Sequence, residues 1–248
     1  MEGKLTGFAK FAWITLAYNV VVIIWGVFLR ASHSGDGCGQ HWLTCNGEVV
    51  PSAPELKTVI EFSHRVTTAI AGIVVVALVI WAFRKFEKGS PVRKAAVFSL
   101  FFIIIEGLIG RGLVLTGNTA GNWTPTRPYW TIGHLINTFL LLAALTATAW
   151  LADGKRRLRL PSNNAVSVLL IVAAVVILFI GSSGSLAALS NMFYPSGSIS
   201  EGLAKDFAET SPMLVRLRIS HPIISIIGGV FILFLSGWLG KMNAENPC

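Results

Sequence analysis

Apolar residues run along this chain in six long blocks, at about 9–29, 66–83, 96–115, 131–151, 165–188 and 221–240, separated by shorter polar stretches. Crossing a hydrocarbon layer of about 30 Å takes roughly 20 apolar residues in a helix, so every block is close to the length needed to span. Gly and Pro inside the blocks do not argue against helices there, because neighbouring helices satisfy the freed backbone groups. The pattern predicts an all-α polytopic membrane bundle with six transmembrane helices. The first block is too long for a secretory signal and lacks a small-residue cleavage site, so it is expected to be retained.

The polar residues between blocks predict an orientation. Lys4 and Lys10 precede the first block, and Arg84, Lys85, Lys88, Arg93 and Lys94 separate the second from the third. Lys155, Arg156, Arg157 and Arg159 separate the fourth from the fifth, and Lys241 follows the sixth. If the helices alternate in direction, all twelve fall on one side, which the positive-inside rule makes cytoplasmic. The expected location is a plasma or inner membrane, crossed several times, with both visible termini cytoplasmic. Loops 30–65, 116–130 and 189–220 then face outward. Composition agrees: 53% of residues are hydrophobic, 13% are charged and the mean hydropathy is +0.66, values that exclude an ordinary soluble domain. The formal charge of +8, distributed this way, points to membrane lipid and away from nucleic acid.

The chain also repeats itself weakly. Ser63-His64 and Ser220-His221 each open an apolar block, and a glycine, Gly72 or Gly229, follows each histidine eight residues later. The preceding blocks end alike in Ala31-Ser32-His33-Ser34-Gly35 and Gly181-Ser182-Ser183-Gly184-Ser185. Repeats of this kind mark membrane bundles built from similar halves; the bland alternative is shared membrane composition. The expected division is a four-helix half over 1–160 and the first two helices of a second half over 161–248.

Candidate chemistry collects at the outer ends of the blocks. Cys38 and Cys45 lie in an outward loop, where disulfides persist; Cys248 is expected to be a free terminal thiol. His33 and His41 are loop residues of the solvated kind. His64, His134 and His221 each sit near the outer end of an apolar block, where ionisable residues are rare and usually functional, although a hydrogen-bonded core histidine is the alternative for any one of them. Two histidines on facing helices can hold one haem iron axially. Small residues share a face with two of them, Thr67, Thr68, Ala71 and Gly72 after His64, and Ser225, Gly228 and Gly229 after His221. Such faces also serve plain helix packing. Arg65, Arg111, Arg127, Arg216 and Arg218 run against the positive-inside trend and suit haem propionates, the alternative being contact with lipid phosphate. Glu61 stands three residues before His64, a same-face spacing; it reads as an acid, a base or a stabiliser of positive charge, or else as a helix N-terminal acid. Glu106 lies deep in the third block with no assigned partner; Asn137 and Thr138, after His134, are available to bond its ring or a neighbour.

The run from Gly35-Asp36-Gly37-Cys38-Gly39 through Trp42 and Cys45, followed by Glu61-Phe62-Ser63-His64-Arg65, resembles the haem A synthase family. The resemblance covers nearly the whole chain. It implies two similar four-helix halves, eight helices in all, and oxidation of the C8 methyl of haem O to a formyl group. It implies that His64 and His134 are the axial pair of the substrate haem, Glu61 the catalytic carboxylate, Cys38 and Cys45 the outer-loop cysteine pair, and His221 one ligand of a haem b. The partner ligand of that haem b would lie on an eighth helix that this sequence does not contain, so weak or no turnover is expected of the chain as given. Leu43 replaces a frequent proline, Glu106 stands where many members carry glutamine, and loop 189–220 lacks the second cysteine pair of some members. The implied partners are haem O, delivered by a haem O synthase, and an unidentified electron acceptor, with a homo-oligomer left open. Three rival readings remain: a diheme b-type electron-transfer protein, a membrane thiol-disulfide oxidoreductase, and a haem or ion transporter.

Overall fold

A computed structural model describes residues 5–154 and 164–245. Lys4, Lys155, Arg156, Arg157, Arg159 and Cys248 lie outside the described residues. Among the described residues eight helices follow one another: α1 (Gly7–Ala31), α2 (Leu56–Lys85), α3 (Pro91–Leu115), α4 (Arg127–Ala152), α5 (Asn164–Phe193), α6 (Ile199–Phe207), α7 (Met213–Leu217) and α8 (Ser220–Glu245). Six helical stretches are long and apolar enough to cross a membrane, the last running through α7 and α8 from Met213 to Met242. The six blocks are thus all found as helices. Several boundaries move by four residues or more, with α3 starting at Pro91, α4 at Arg127 and α8 ending at Glu245 among them. α2 begins ten residues before its apolar block, which puts Glu61 and His64 inside the helix, and α5 continues past Ser185 to Phe193. The short helices α6 and α7 were not expected in the loop that they occupy.

By contacts the chain divides into two compact units, Met1–Leu158 and Arg159–Cys248. In the first, α1 and α3 each pack against both α2 and α4, so α2 and α4 stand on a diagonal of a four-helix ring. The packed core of this ring, built on Phe8, Ala12, Val75, Leu78, Ala96, Leu141, Leu145 and Ala149, sits at the end away from the cysteine loop. In lipid, apolar burial does not drive helices together; close contact between small side chains does, and the alanines of this cluster permit it. Local signals fix the helix starts at that end. The Thr6 hydroxyl accepts from Ala9 N, and Ser90 caps α3 with Pro91 in its first turn. At the other end, Gly112 admits the Trp130 ring so closely that a Cβ there would lie 2.3 Å from it.

In the second unit α5 packs on α8 and α7, and α6 packs on α7. A Cβ at Gly228 would lie 2.7 Å from Val176 and 2.9 Å from Ile180. That glycine therefore serves α5–α8 packing, the plainer of its two readings.

Candidate functional site

The cysteine loop is seated on the start of α2 by one glycine. A Cβ at Gly37 would lie 2.4 Å from the carbonyl carbon and oxygen of Lys57, so only a glycine lets the loop backbone lie there. Thr58 Oγ1 donates to Gly37 O at 2.7 Å, and the next amide, Cys38 N, donates to Glu61 Oε2 at 2.9 Å. Arg65 closes the assembly. Its Nε and Nη2 donate to Glu61 Oε1 at 3.1 and 2.5 Å, and its Nη1 donates to the carbonyls of His41 and Thr44 at 2.6 and 2.9 Å. Cys38 and Cys45 are buried with their sulfurs at disulfide distance, 1.95 Å.

Glu61 is 3% exposed and all its recorded donors come from the loop and from Arg65. α2 has no acid in its first turn, which removes the helix N-terminal reading of this residue. Both carboxylate oxygens of Glu61 thus accept, one from a guanidinium and the other from a backbone amide. Arg65, read from sequence as a propionate partner, is engaged with Glu61 and the cysteine loop. Arg111 lies over the Trp42 ring at 5.1 Å.

One turn after Glu61, His64 faces α1. Its Cε1 would be 2.9 Å from a Cβ on Gly26, and its Nδ1 is buried without a hydrogen-bond partner. Beside it Trp25 Nε1 donates to Ser63 Oγ at 3.2 Å. Across the ring diagonal, on α4, stands His134, and both His134 and Glu106 lie within electrostatic reach of His64. Glu106 now has partners, all from α4 or its own helix neighbourhood: Asn137 Nδ2 donates to its Oε2 at 2.6 Å, Thr138 Oγ1 donates to its Oε1, and His134 Nδ1 lies 3.3 Å from Oε1. The last contact is an ion-pair distance without hydrogen-bond direction, and His134 Nδ1 is otherwise unbonded. Asn137 and Thr138 thus bond a neighbour of the histidine rather than its ring.

The second unit holds its histidine similarly. His221 Cε1 would be 2.9 Å from a Cβ on Gly184, and its Nδ1 lies 3.1 Å from Ser183 Oγ and 3.2 Å from Ser225 Oγ. The structural repeat therefore pairs Gly26 with Gly184, each against an imidazole. This corrects the match between residues 31–35 and 181–185, because the first run ends its helix and the second lies inside α5. Three residues before His221, where the first unit has Glu61, stands Arg218. It is buried against Asp206 Oδ1 (Nε 2.8 Å), Asn191 Oδ1 (2.7 Å) and Gly202 O (3.0 Å). Arg216 is exposed. Arg127 is buried and donates to the carbonyls of Thr119 and Asn122.

Sequence reasoning missed Gly37 and the partners of Glu106. The first was visible only as a glycine before Cys38. The second needed the register of α3 against α4.

Over residues 9–247 the chain matches the COX15-CtaA family, described as cytochrome oxidase assembly protein. It is 45% identical over 239 residues to a protein of Thermus thermophilus named protoheme IX farnesyltransferase, a match covering 96% of this chain and 39% of that protein. It is 40% identical over 113 residues to a heme A synthase of Shouchella clausii and 38% identical over 109 residues to one of Halalkalibacterium halodurans. Those matches cover 46% and 44% of this chain and 38% and 37% of the relatives. The chain therefore spans well under half the length of the curated relatives it matches. With the match running through nearly all of it, the chain belongs to the cytochrome oxidase assembly protein family, as a multi-pass membrane protein.

Proposed function

We propose that this chain carries the substrate half of a haem A synthase, which oxidises the C8 methyl of haem O to a formyl group. The observation that supports this best is the pairing, on one turn of α2, of a clamped carboxylate with an imidazole that has a second imidazole across the bundle. The residues fit a haem. His64 and His134 stand on diagonal helices, each with a buried Nδ1 that makes no hydrogen bond, and the two imidazoles would hold the haem iron. A haem b would be held in the second unit by His221, whose Nδ1 is already oriented by two serines, the kind of outer partner that fixes a ligand ring. When bound, haem b supplies one-electron redox chemistry.

Converting the methyl to a formyl group adds one water oxygen and releases four electrons and four protons, in two steps through the alcohol and the geminal diol. Loss of electrons at the methyl leaves a cation-like carbon. Glu61, oriented by Arg65 and Cys38 N, would stabilise that carbon electrostatically. Glu106 positions His134: its carboxylate lies against Nδ1, which leaves Nε2 for the iron. An external acceptor would take up the electrons. In this reading Cys38 and Cys45 form a disulfide that keeps the loop shaped around Glu61, the termini are cytoplasmic, and the membrane is the inner or plasma membrane.

The Thermus relative's name raises prenyl transfer as a second activity. A prenyl diphosphate brings Mg²⁺, which is usually shared between its phosphates and protein carboxylates. This chain's three aspartates, Asp36, Asp153 and Asp206, are on separate elements, and Asp206 is committed to Arg218. The residues thus favour oxidation.

The deciding experiment supplies haem O to cells making this chain and reads the extracted haems by mass. Haem O should be bound, haem A or its hydroxylated precursors should appear only in the small amount that weak turnover allows, and Glu61→Gln should abolish them while bound haem O persists. Haem A formed equally by Glu61→Gln would remove the role given to that carboxylate. Bound haem b with no binding of supplied haem O would favour the diheme electron-transfer reading.

A further inference from the structure

The helix α6 has three differently employed sides. Ile199, Leu203 and Phe207 recur every four residues and form one stripe, exposed by 85, 44 and 72%. At about 100° per residue, Glu201 and Lys205 point to the opposite side, where they pair at 2.6 Å. Gly202 and Asp206 lie on a flank between the two, and that flank is the one held by protein: Arg218 donates to Asp206 Oδ1 and to Gly202 O. The charged side is only lightly engaged, by the chain just before α6 (Lys205 Nζ donates to Pro195 O at 3.1 Å and Gly197 N donates to Glu201 Oε2 at 2.8 Å), and among the described residues the apolar side stays open.

The position of α6 along the chain limits its height. Five residues, 194–198, join it to the end of α5, and five more, 208–212, join it to Met213, where the next span begins. Five extended residues reach at most about 17 Å. Arg218, at the end of α7 and three residues before His221, ties the helix to the chain just before α8. An amphipathic helix so short-tethered between two spans stays at the membrane surface. An apolar stripe opposite a charged pair is the form that lies in the interface plane, with its apolar side in the boundary between headgroups and acyl chains. Met213, also largely exposed, adds apolar surface where the next span starts.

We propose that α6 is a lipid-docking helix. Its Ile199–Leu203–Phe207 stripe enters the acyl-chain boundary of the leaflet at this end of the second unit, and Glu201 and Lys205 face water. The helix then sets the depth at which Asp206 holds Arg218, and with it the start of the helix carrying His221. The proposal does not depend on haem being bound.

The test places a nitroxide on the full chain in a Cys248→Ser background, at Leu203→Cys or Phe207→Cys on the stripe and at Glu201→Cys opposite. The protein is reconstituted into phosphatidylcholine–phosphatidylglycerol vesicles. Labels on the stripe should collide several-fold more with lipid-dissolved oxygen than with a water-soluble nickel chelate, and the label at 201 should show the reverse. A stripe equally open to nickel would mean that it faces water, and a stripe shielded from both probes would mean that protein covers it, a second copy included. Either result overturns the proposal. Ile199→Cys repeats the measurement on the same stripe, so that a local disturbance by one label does not decide it.

Discussion

The two units build the same seat for a histidine and then reverse the charge beside it. In the first, the His64 ring rests on Gly26 and the residue one turn earlier is Glu61, clamped by Arg65 and the cysteine loop. In the second, the His221 ring rests on Gly184 and the residue one turn earlier is Arg218, clamped by Asp206 of α6. The glycine–imidazole contact belongs to the scaffold, and the charge at the position three residues before the histidine separates the units. A carboxylate there suits a centre where positive charge develops on a substrate; a guanidinium does not. Each unit also recruits a loop element to neutralise its own charge, a cysteine-bridged loop in one and an amphipathic helix in the other.

Substitutions at matched positions can break this comparison. The largest effect is expected from the histidines. On the proposed function, His64→Ala would remove the substrate haem and His221→Ala would remove haem b, read as separate losses in the optical spectrum; loss of the same species by both would erase the distinction between units. Next come the charges. Arg218→Ala strands a buried Asp206 and should cost about 3–5 kcal/mol of the second unit's stability, measured by thermal unfolding in detergent. Glu61→Gln keeps a neutral acceptor for Cys38 N and should cost less, about 1–3 kcal/mol, while stopping product. An equal loss of product from Glu61→Gln and from a charge-neutral change at 218 would sink the asymmetry. Gly37→Ala should lift the loop from Lys57 at a cost of ~1–3 kcal/mol and lower turnover as Glu61 loses the Cys38 amide. Gly26→Ala and Gly184→Ala should perturb both haems alike, each by a comparable ~1–3 kcal/mol; a large effect in one unit alone would show that the shared seat is only apparent.

The smallest effect concerns pH. A hydrogen bond from Lys205, another from Gly197 N and the Lys205 charge hold the Glu201 carboxyl below its ordinary 4.5. A carboxyl lowered on folding adds stability above its unfolded value and loses it as pH falls through the folded one. Below the ordinary carboxylate range a spin label at Ser200→Cys should therefore become more mobile, and Glu201→Gln should remove that dependence.

The membrane fold was legible because span length is set by the bilayer: all six blocks became helices, and their polar flanks misled most about where α2 begins, with shifts of four to five residues at the starts of α3 and α4 and the ends of α5 and α8. The extra turns of α2 matter, since Glu61 and His64 project from a continuous helix rather than from a loop junction. α6 was hidden because nine residues with four-residue apolar spacing do not register as an apolar block. The employment of Arg65 was hidden for a different reason. Its partners are backbone carbonyls of His41 and Thr44, and a carbonyl has no signature in the sequence. Glu106 could not be paired because helix register across α3 and α4 is set by contacts such as Gly112 with Trp130, which composition does not reveal.

The way in which Glu106 is satisfied has a consequence for how the chain enters the membrane. A charged side chain near the centre of a lone helix costs a few kcal/mol during insertion, and α3 carries one. Asn137 and Thr138, which neutralise that cost, belong to α4, and emerge from the ribosome 31 and 32 residues after it. We therefore predict that α3 waits at the translocation machinery until α4 arrives and that the two leave it as a hairpin. In a glycosylation-reporter assay α3 alone should insert poorly, and addition of α4 should restore it only while Asn137 and Thr138 are intact.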